Sequence, residues 1–298
     1  MDQFCSLVSR QSGEPLYGSA GVHAEPLYVS WDQARWHAKN VLLSEGVPES
    51  LRQAVAAELE RGRKFSVRFF EDHQADAGTA TVKLFPAGLE RRGIVLENLG
   101  DAVTELFAGT GGRAIEGREL YICGDAAHDR CCGRFGVELL MAAREIIRER
   151  ALPLRLYRSS HLGGHKFSPT GIVFPEGIVY GRIGLDQLPQ VLDAAVAGMI
   201  HVPCFRGHAG DTVEEQIATY AAATLPEFAG EIFGVEDVAV SAAGEKRKRI
   251  VAAVRGNGGS LRKIDIEIEE RDFVAADRCG DAAAKTVVRW VVFAVMIE

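Results

Sequence analysis

The sequence predicts an α/β protein: two successive stretches of mixed strands and helices, followed by a smaller α+β appendage. Two patterns carry this. Alternating apolar runs and helical periodicities give the order β-α-β-β-β-α twice, nearly unchanged. The last hundred or so residues then offer one helix and several strand-like runs. Composition agrees, since 298 residues that are 47% hydrophobic and 25% charged can build a sizeable core without disulfide staples.

In the first stretch, residues 26–31 read as a strand and 49–61 as an amphipathic helix. Strands follow at 64–71 and 79–85, with a short third at 94–97, and a helix at 101–107 closes the set. In the second, 119–123 is a strand and 134–150 a helix with Leu139, Leu140, Ala143, Ile146 and Ile147 on one side. A strand at 154–157 precedes the runs 171–174 and 178–183, which form a hairpin around Pro175-Glu176-Gly177. A helix at 188–197 ends this stretch. Such an order suits a small mixed sheet with helices on its faces, the thioredoxin-like arrangement. We therefore expect tandem thioredoxin-like units at 1–112 and 113–200 and an α+β region at 201–298. The last region holds a helix at 212–222, strands near 237–241, 248–255, 263–269 and 287–297, and a turn at Gly256-Asn257-Gly258-Gly259.

The formal charge of −7 argues against nucleic acid as a partner, because phosphate binding needs a basic face. The run Lys246-Arg247-Lys248-Arg249 leads straight into apolar residues and reads as a solvated strand entry. The opening MDQFCSLVSR has no basic-then-apolar signal pattern, and no segment approaches the roughly 20 apolar residues of a membrane span. A cytoplasmic protein with reduced thiols is the expectation.

Three of the six cysteines, Cys123, Cys131 and Cys132, fall within ten residues of one another. The first ends a strand, and the other two precede a helix, whose positive end favours thiolate, the metal-binding form. His161 and His165 follow the next strand. Gly163 and Gly164 between them each cost about 1 kcal/mol in a helix, so a loop is expected, with its backbone able to approach a bulky object. Thiolate and imidazole both ligate iron and zinc. Cys123, Cys132, His161 and His165 form two donor pairs at neighbouring strand ends, with Cys131 able to replace Cys132. Cys5, Cys204, Cys279 and the remaining histidines other than His128 read as ordinary core or surface residues.

The pattern Cys123-x8-Cys132 with Asp129-x-Cys131-Cys132, then Ser160-His161-x-Gly163-Gly164-His165-Lys166-Phe167, resembles the sucrase/ferredoxin-like proteins, also described as thioredoxin-like ferredoxins. Further fragments agree: Cys5-Ser6, Pro15-Leu16-x-Gly18-Ser19-Ala20, Pro175-x-Gly177, Tyr180-Gly181-Arg182 and Arg206-Gly207. The likeness spans residues 4–210. It implies a [2Fe–2S] cluster ligated by Cys123, Cys132, His161 and His165, and an electron carrier or redox sensor that meets a redox partner protein. Lys166 and Arg206 would offset cluster charge or meet that partner. Gly124 and Asp125 depart from the family pattern of a small hydroxyl residue followed by His or Asn. An acid there would disfavour added negative charge on the cluster.

A structural Cys2His2 zinc protein is the first alternative, although the 28 residues between Cys132 and His161 exceed the spacing of a compact finger. A metal-free thioredoxin-like binding protein is the second. A thiol-disulfide oxidoreductase would want Cys-x-x-Cys at the helix start. No pair of carboxylates is singled out for glycoside hydrolysis, and no dehydrogenase site is evident. Gly109-x-Gly111 follows a helix and precedes a strand, the reverse of a dinucleotide loop, so it reads as a connection.

Overall fold

The computed structural model describes residues 4–21, 25–228, 232–256, 259, 261–280 and 284–298. In chain order its elements begin with α1 (Cys5–Gln11), β1 (Glu25–Ser30), α2 (Glu49–Glu60), β2 (Phe65–Phe70), β3 (Thr79–Leu84), β4 (Leu89–Val95) and α3 (Leu99–Ala108). Next come β5 (Arg113–Ala114), β6 (Arg118–Cys123), α4 (Val137–Glu149), β7 (Leu154–Ser159), β8 (Gly171–Phe174), β9 (Ile178–Tyr180) and α5 (Leu188–Ala197). The chain finishes with β10 (Phe205–His208), α6 (Val213–Ala223), β11 (Ile232–Gly244), β12 (Arg247–Gly256), β13 (Leu261–Ala275) and β14 (Lys285–Ile297).

These elements divide into two compact units. One comprises His23–Leu162 and Gly171–Gly177. Within it the strands run in the order β8-β6-β7-β2-β1-β3-β4-β5. β1 and β2 are parallel, as their connection through α2 requires, and β3 joins β1 antiparallel. The same local pattern recurs with β6 and β7 parallel across α4 and β8 antiparallel to β6. This is the mixed α/β, thioredoxin-like architecture expected from the element order. The two patterns meet where β2 and β7 pair antiparallel through Phe70 and Ser159.

Apolar residues of α2 and α3 fix one face of the sheet. Leu99, Ala102, Val103 and Leu106 recur at helical spacing and are buried against Leu27, Val29, Phe69 and Val82. Gly109 ends α3 with φ +68°, a left-handed cap that glycine adopts without steric cost, so the Gly109-x-Gly111 stretch is a connection as expected. On the other face Tyr28, Phe70, Phe85, Tyr121 and Phe174 form an aromatic cluster, with Phe85 and Phe174 stacked at 3.8 Å.

The other unit comprises Met1–Val22, Gly163–Thr170 and Ile178–Glu298. Its antiparallel sheet has the order β11-β12-β13-β14, and β10 pairs antiparallel with β9. α6 starts with a capping box between Thr212 and Glu215. The start and end of the chain meet here: Tyr17 stacks on Tyr220 at 3.9 Å and accepts a hydrogen bond from the Val292 N–H at 3.1 Å. Of the turn expected at Gly256-Asn257-Gly258-Gly259, the central Asn257 and Gly258 lie outside the described residues. No helix among the described residues is long and apolar enough to cross a membrane.

Candidate metal centre

Cys123 is the last residue of β6 and lies beside Ser159 of β7. The chain then turns sharply. The Gly124 N–H donates to the Ser159 carbonyl at 3.0 Å, and the Arg158 guanidinium donates to the Gly124 carbonyl at 2.7 and 3.1 Å. A Cβ at 124 would lie 2.6 Å from Arg158 Nε, so a larger residue here would displace this guanidinium.

The following loop is held by two aspartates. The Asp125 carboxylate accepts the His128 N–H through Oδ1 and the His161 N–H through Oδ2, each at 3.1 Å. Asp129 Oδ1 accepts the Cys131 N–H at 2.8 Å, in the manner of an N-cap. A π-helical turn, Cys132–Gly136, then leads into α4. Such turns occur mostly as local irregularities at functional sites. Its last residue packs onto the end of β6, where a Cβ at Gly136 would overlap the Cys123 carbonyl oxygen. That contact brings the start of the turn, and with it Cys132, over Cys123.

His161 follows β7. Its ring Nδ1 lies 4.0 Å from Cys132 Sγ, and ligand atoms of Cys123, Cys132 and His161 all fall within 4.8 Å of one another. Both cysteines are buried. The His128 ring stacks on His161 with centroids 3.6 Å apart and planes 12° from parallel, and its Nδ1 is 2.7 Å from the Ala38 carbonyl oxygen.

The two thiols are electrostatically unlike. A hydrogen bond from Cys132 holds the Cys123 thiol well below the usual cysteine range, outweighing the opposing effect of burial, with His161 helping. Cys132, as donor, is pushed up by the same hydrogen bond and by burial. Burial, and then the Cys123 charge, raise Asp125 above the usual carboxylate value.

Three of the four expected donors therefore stand together. Cys131 does not join them; its partner in this loop is Asp129. His165 belongs to the other unit. There it opens a 3₁₀ turn, His165–Phe167, preceded by Gly163 and Gly164 at φ +89° and +72°, so the expected loop is present and only glycine enters it without strain. Its Nε2 meets the Asp277 carbonyl oxygen. In that unit Lys166 pairs with the buried Glu14 at 2.6 Å, and Arg206 donates to the Gly163 carbonyl at 3.1 Å and to Ser19 Oγ at 3.0 Å. At the strand ends of the first pattern stand Trp31, Asp32, Glu71, Asp72 and His73 around a cleft of about 490 Å³, without a cysteine among them.

The model of one protein family, sucrase/ferredoxin-like, matches residues 16–207. The chain belongs to this family. Among solved structures, this family member is similar to a thioredoxin-like [2Fe–2S] ferredoxin from Aquifex aeolicus. The match is 16% identical, covers 30% of this chain and 90% of the other, and has a TM-score of 0.27. A second structure of the wild-type Aquifex protein is 17% identical over 30% of this chain and 96% of that one, again with a TM-score of 0.27. A curated relative, altered inheritance of mitochondria protein 32 from Debaryomyces hansenii, is 28% identical over 84 residues. The match takes in 26% of this chain and spans only 31% of that relative's length.

Sequence reasoning left two contributors unassigned. His128 reads as an isolated histidine in the sequence, and its stacking on His161 and its contact with the Ala38 carbonyl give it a place. Asp125 was read as a nearby charge, whereas its two accepted N–H groups make it a brace. An Asp three residues before His128 in a turn was the available signal.

Proposed function

We propose that this sucrase/ferredoxin-like chain is an iron–sulfur electron-transfer protein, with a [2Fe–2S] cluster held by Cys123, Cys132, His161 and His165. The observation that carries the reading is the buried meeting of two sulfurs and an imidazole nitrogen, with one thiol already favouring thiolate. Donors of this kind suit iron–sulfur chemistry, and the family supplies His165 through the Ser160-His161-x-Gly163-Gly164-His165 pattern. Bound there, a cluster with two neutral imidazoles in place of thiolates supplies one-electron redox chemistry at a higher potential than an all-cysteine site.

The chain's own residues do the holding. Cys123 and Cys132 would ligate as thiolates, and Asp125 fixes the backbone of His161. In this reading the stretch 113–200 carries the cluster, 1–112 does not, and 201–298 is an appendage. A redox partner protein in a reducing cytoplasm delivers or receives the electron.

Potentiometry on the His161→Cys and His165→Cys variants tests the ligand set. Each variant should keep a cluster, change its visible spectrum and lower its potential. A spectrum identical to wild type would remove that histidine from the ligand set.

A further inference from the structure

The unit that carries both ends of the chain holds Cys5, Cys204 and Cys279. Cys204 is buried, its thiol donates to the Gln187 side-chain oxygen at 3.4 Å, and burial pushes its pKa up to about 12. Such a thiol is a poor nucleophile near neutral pH. The other two meet. Buried Cys5 opens α1, half-buried Cys279 follows β13 on the way to β14, and their sulfurs are 3.7 Å apart.

Contacts on either side of the pair hold it in register. α1 packs against β13. Arg10 donates to the Arg182 carbonyl at 3.0 Å, and the Arg182 guanidinium donates back to the Ser9 carbonyl at 3.0 Å and to Ser9 Oγ at 2.8 Å. Beyond α1, buried Glu14 pairs with Arg289 of β14 at 2.8 Å, and Tyr17 Oη accepts the Val292 N–H. The start of the chain and the β13–β14 pair are thus fixed to each other by groups other than the sulfurs. Closing the two sulfurs to the roughly 2 Å of a disulfide asks only for small side-chain rotations.

We propose that Cys5 and Cys279 form a reversible intramolecular disulfide by exchange with a small-molecule disulfide. Cys279, the more accessible thiol, attacks one sulfur of the small disulfide, whose S–S bond breaks and releases one small thiol. Cys5 then attacks the Cys279 sulfur, forms the protein disulfide and releases the second small thiol. The small disulfide takes up two electrons, and the protons of the two protein thiols leave on the two small thiols. The product joins positions 274 residues apart and constrains the unfolded chain over nearly its whole length. No step uses Cys123 or Cys132.

Peptide mapping without reduction tests this on the full chain, first reduced, then incubated with glutathione disulfide and alkylated. Wild type should yield the Cys5 and Cys279 peptides joined, in a monomer lighter by two hydrogens, and dithiothreitol should separate them. Cys5→Ser should stop at the mixed disulfide, with one glutathionyl group on Cys279. Cys279→Ser should leave Cys5 unmodified, and Cys204→Ser should form the bond as wild type does. Oxidised wild type should also unfold at a higher urea concentration than reduced wild type, a difference that both Cys5→Ser and Cys279→Ser abolish. If either of those variants does not fold, the wild-type map and the Cys204→Ser variant still decide. Separate alkylation of Cys5 and Cys279 after the incubation, or a bond from Cys279 to any other cysteine, would overturn the proposal.

Discussion

Asp125 shows how one side chain organises the centre. Its two oxygens tie the loop after β6 to the residue after β7, so the thiol and imidazole donors share a brace. Asp125→Ala should lower stability by about 1–3 kcal/mol, because two backbone N–H groups lose their acceptor. Urea unfolding of the metal-free protein measures this, and an unchanged midpoint would show that the brace is dispensable.

His201 offers a second test at this scale, through pH. Burial lowers its pKa from 6.5, and its Nε2 is enclosed without a hydrogen-bond partner among the described residues. The unfolded chain therefore binds a proton more readily than the folded one, so stability is full above the unfolded value near 6.5 and falls as pH drops through the lower folded value. His201→Gln should flatten the decline of the urea midpoint between about pH 7 and 5, the window around an ordinary histidine. An unaltered slope would assign the acid sensitivity elsewhere. Cys123, Cys132 and His161 were legible in the sequence because donor types that converge on strand ends are chemically informative. His128 was not, since a single histidine reads equally well as solvated.

At the scale of elements, Lys83 carries the clearest lesson. The run Thr79–Leu84 reads as a strand and forms one, yet its lysine is fully buried. Lys83 Nζ donates to both Glu119 oxygens, at 2.8 and 3.0 Å, and lies 4.1 Å from the Tyr157 ring centroid. Burial lowers its pKa, and Glu119 pulls it back up. Lys83→Met should cost about 3–5 kcal/mol, because Glu119 would stay buried with its main cation removed. A loss below 1 kcal/mol in denaturant unfolding would mean that Arg155, 2.8 Å from Glu119, suffices alone. No periodicity reveals such a pair, since its members come from separate strands.

Other elements differ for local reasons. The third strand of the first stretch is Leu89–Val95 rather than a short run at 94–97, because Glu90 and Arg92 interrupt its apolar pattern while pairing with each other at 3.0 Å. The helix Cys5–Gln11 is seven residues long, too short for a periodicity to stand out. α2, α3 and α4 were readable, since each repeats its apolar face over several turns.

For the whole molecule, element order was enough to give the mixed α/β class, because βαβ connections demand parallel neighbours and tight turns demand antiparallel ones. Association of distant segments was not readable. Arg289 of the last strand reaches Glu14 at 2.8 Å, and Cys279 Sγ lies 3.7 Å from Cys5 Sγ, contacts that leave no local trace in the chain. The same holds for the centre, where strand ends far apart in sequence supply the sulfurs and the imidazole.

Iron and acid-labile sulfide analysis of the anaerobically purified chain, read with its visible spectrum, is the most direct test of that centre. We expect two irons and two sulfides per chain, the content of a [2Fe–2S] cluster, in a brown protein whose Cys132→Ser variant loses the colour. A colourless wild-type protein carrying one zinc, or no metal, would contradict the account.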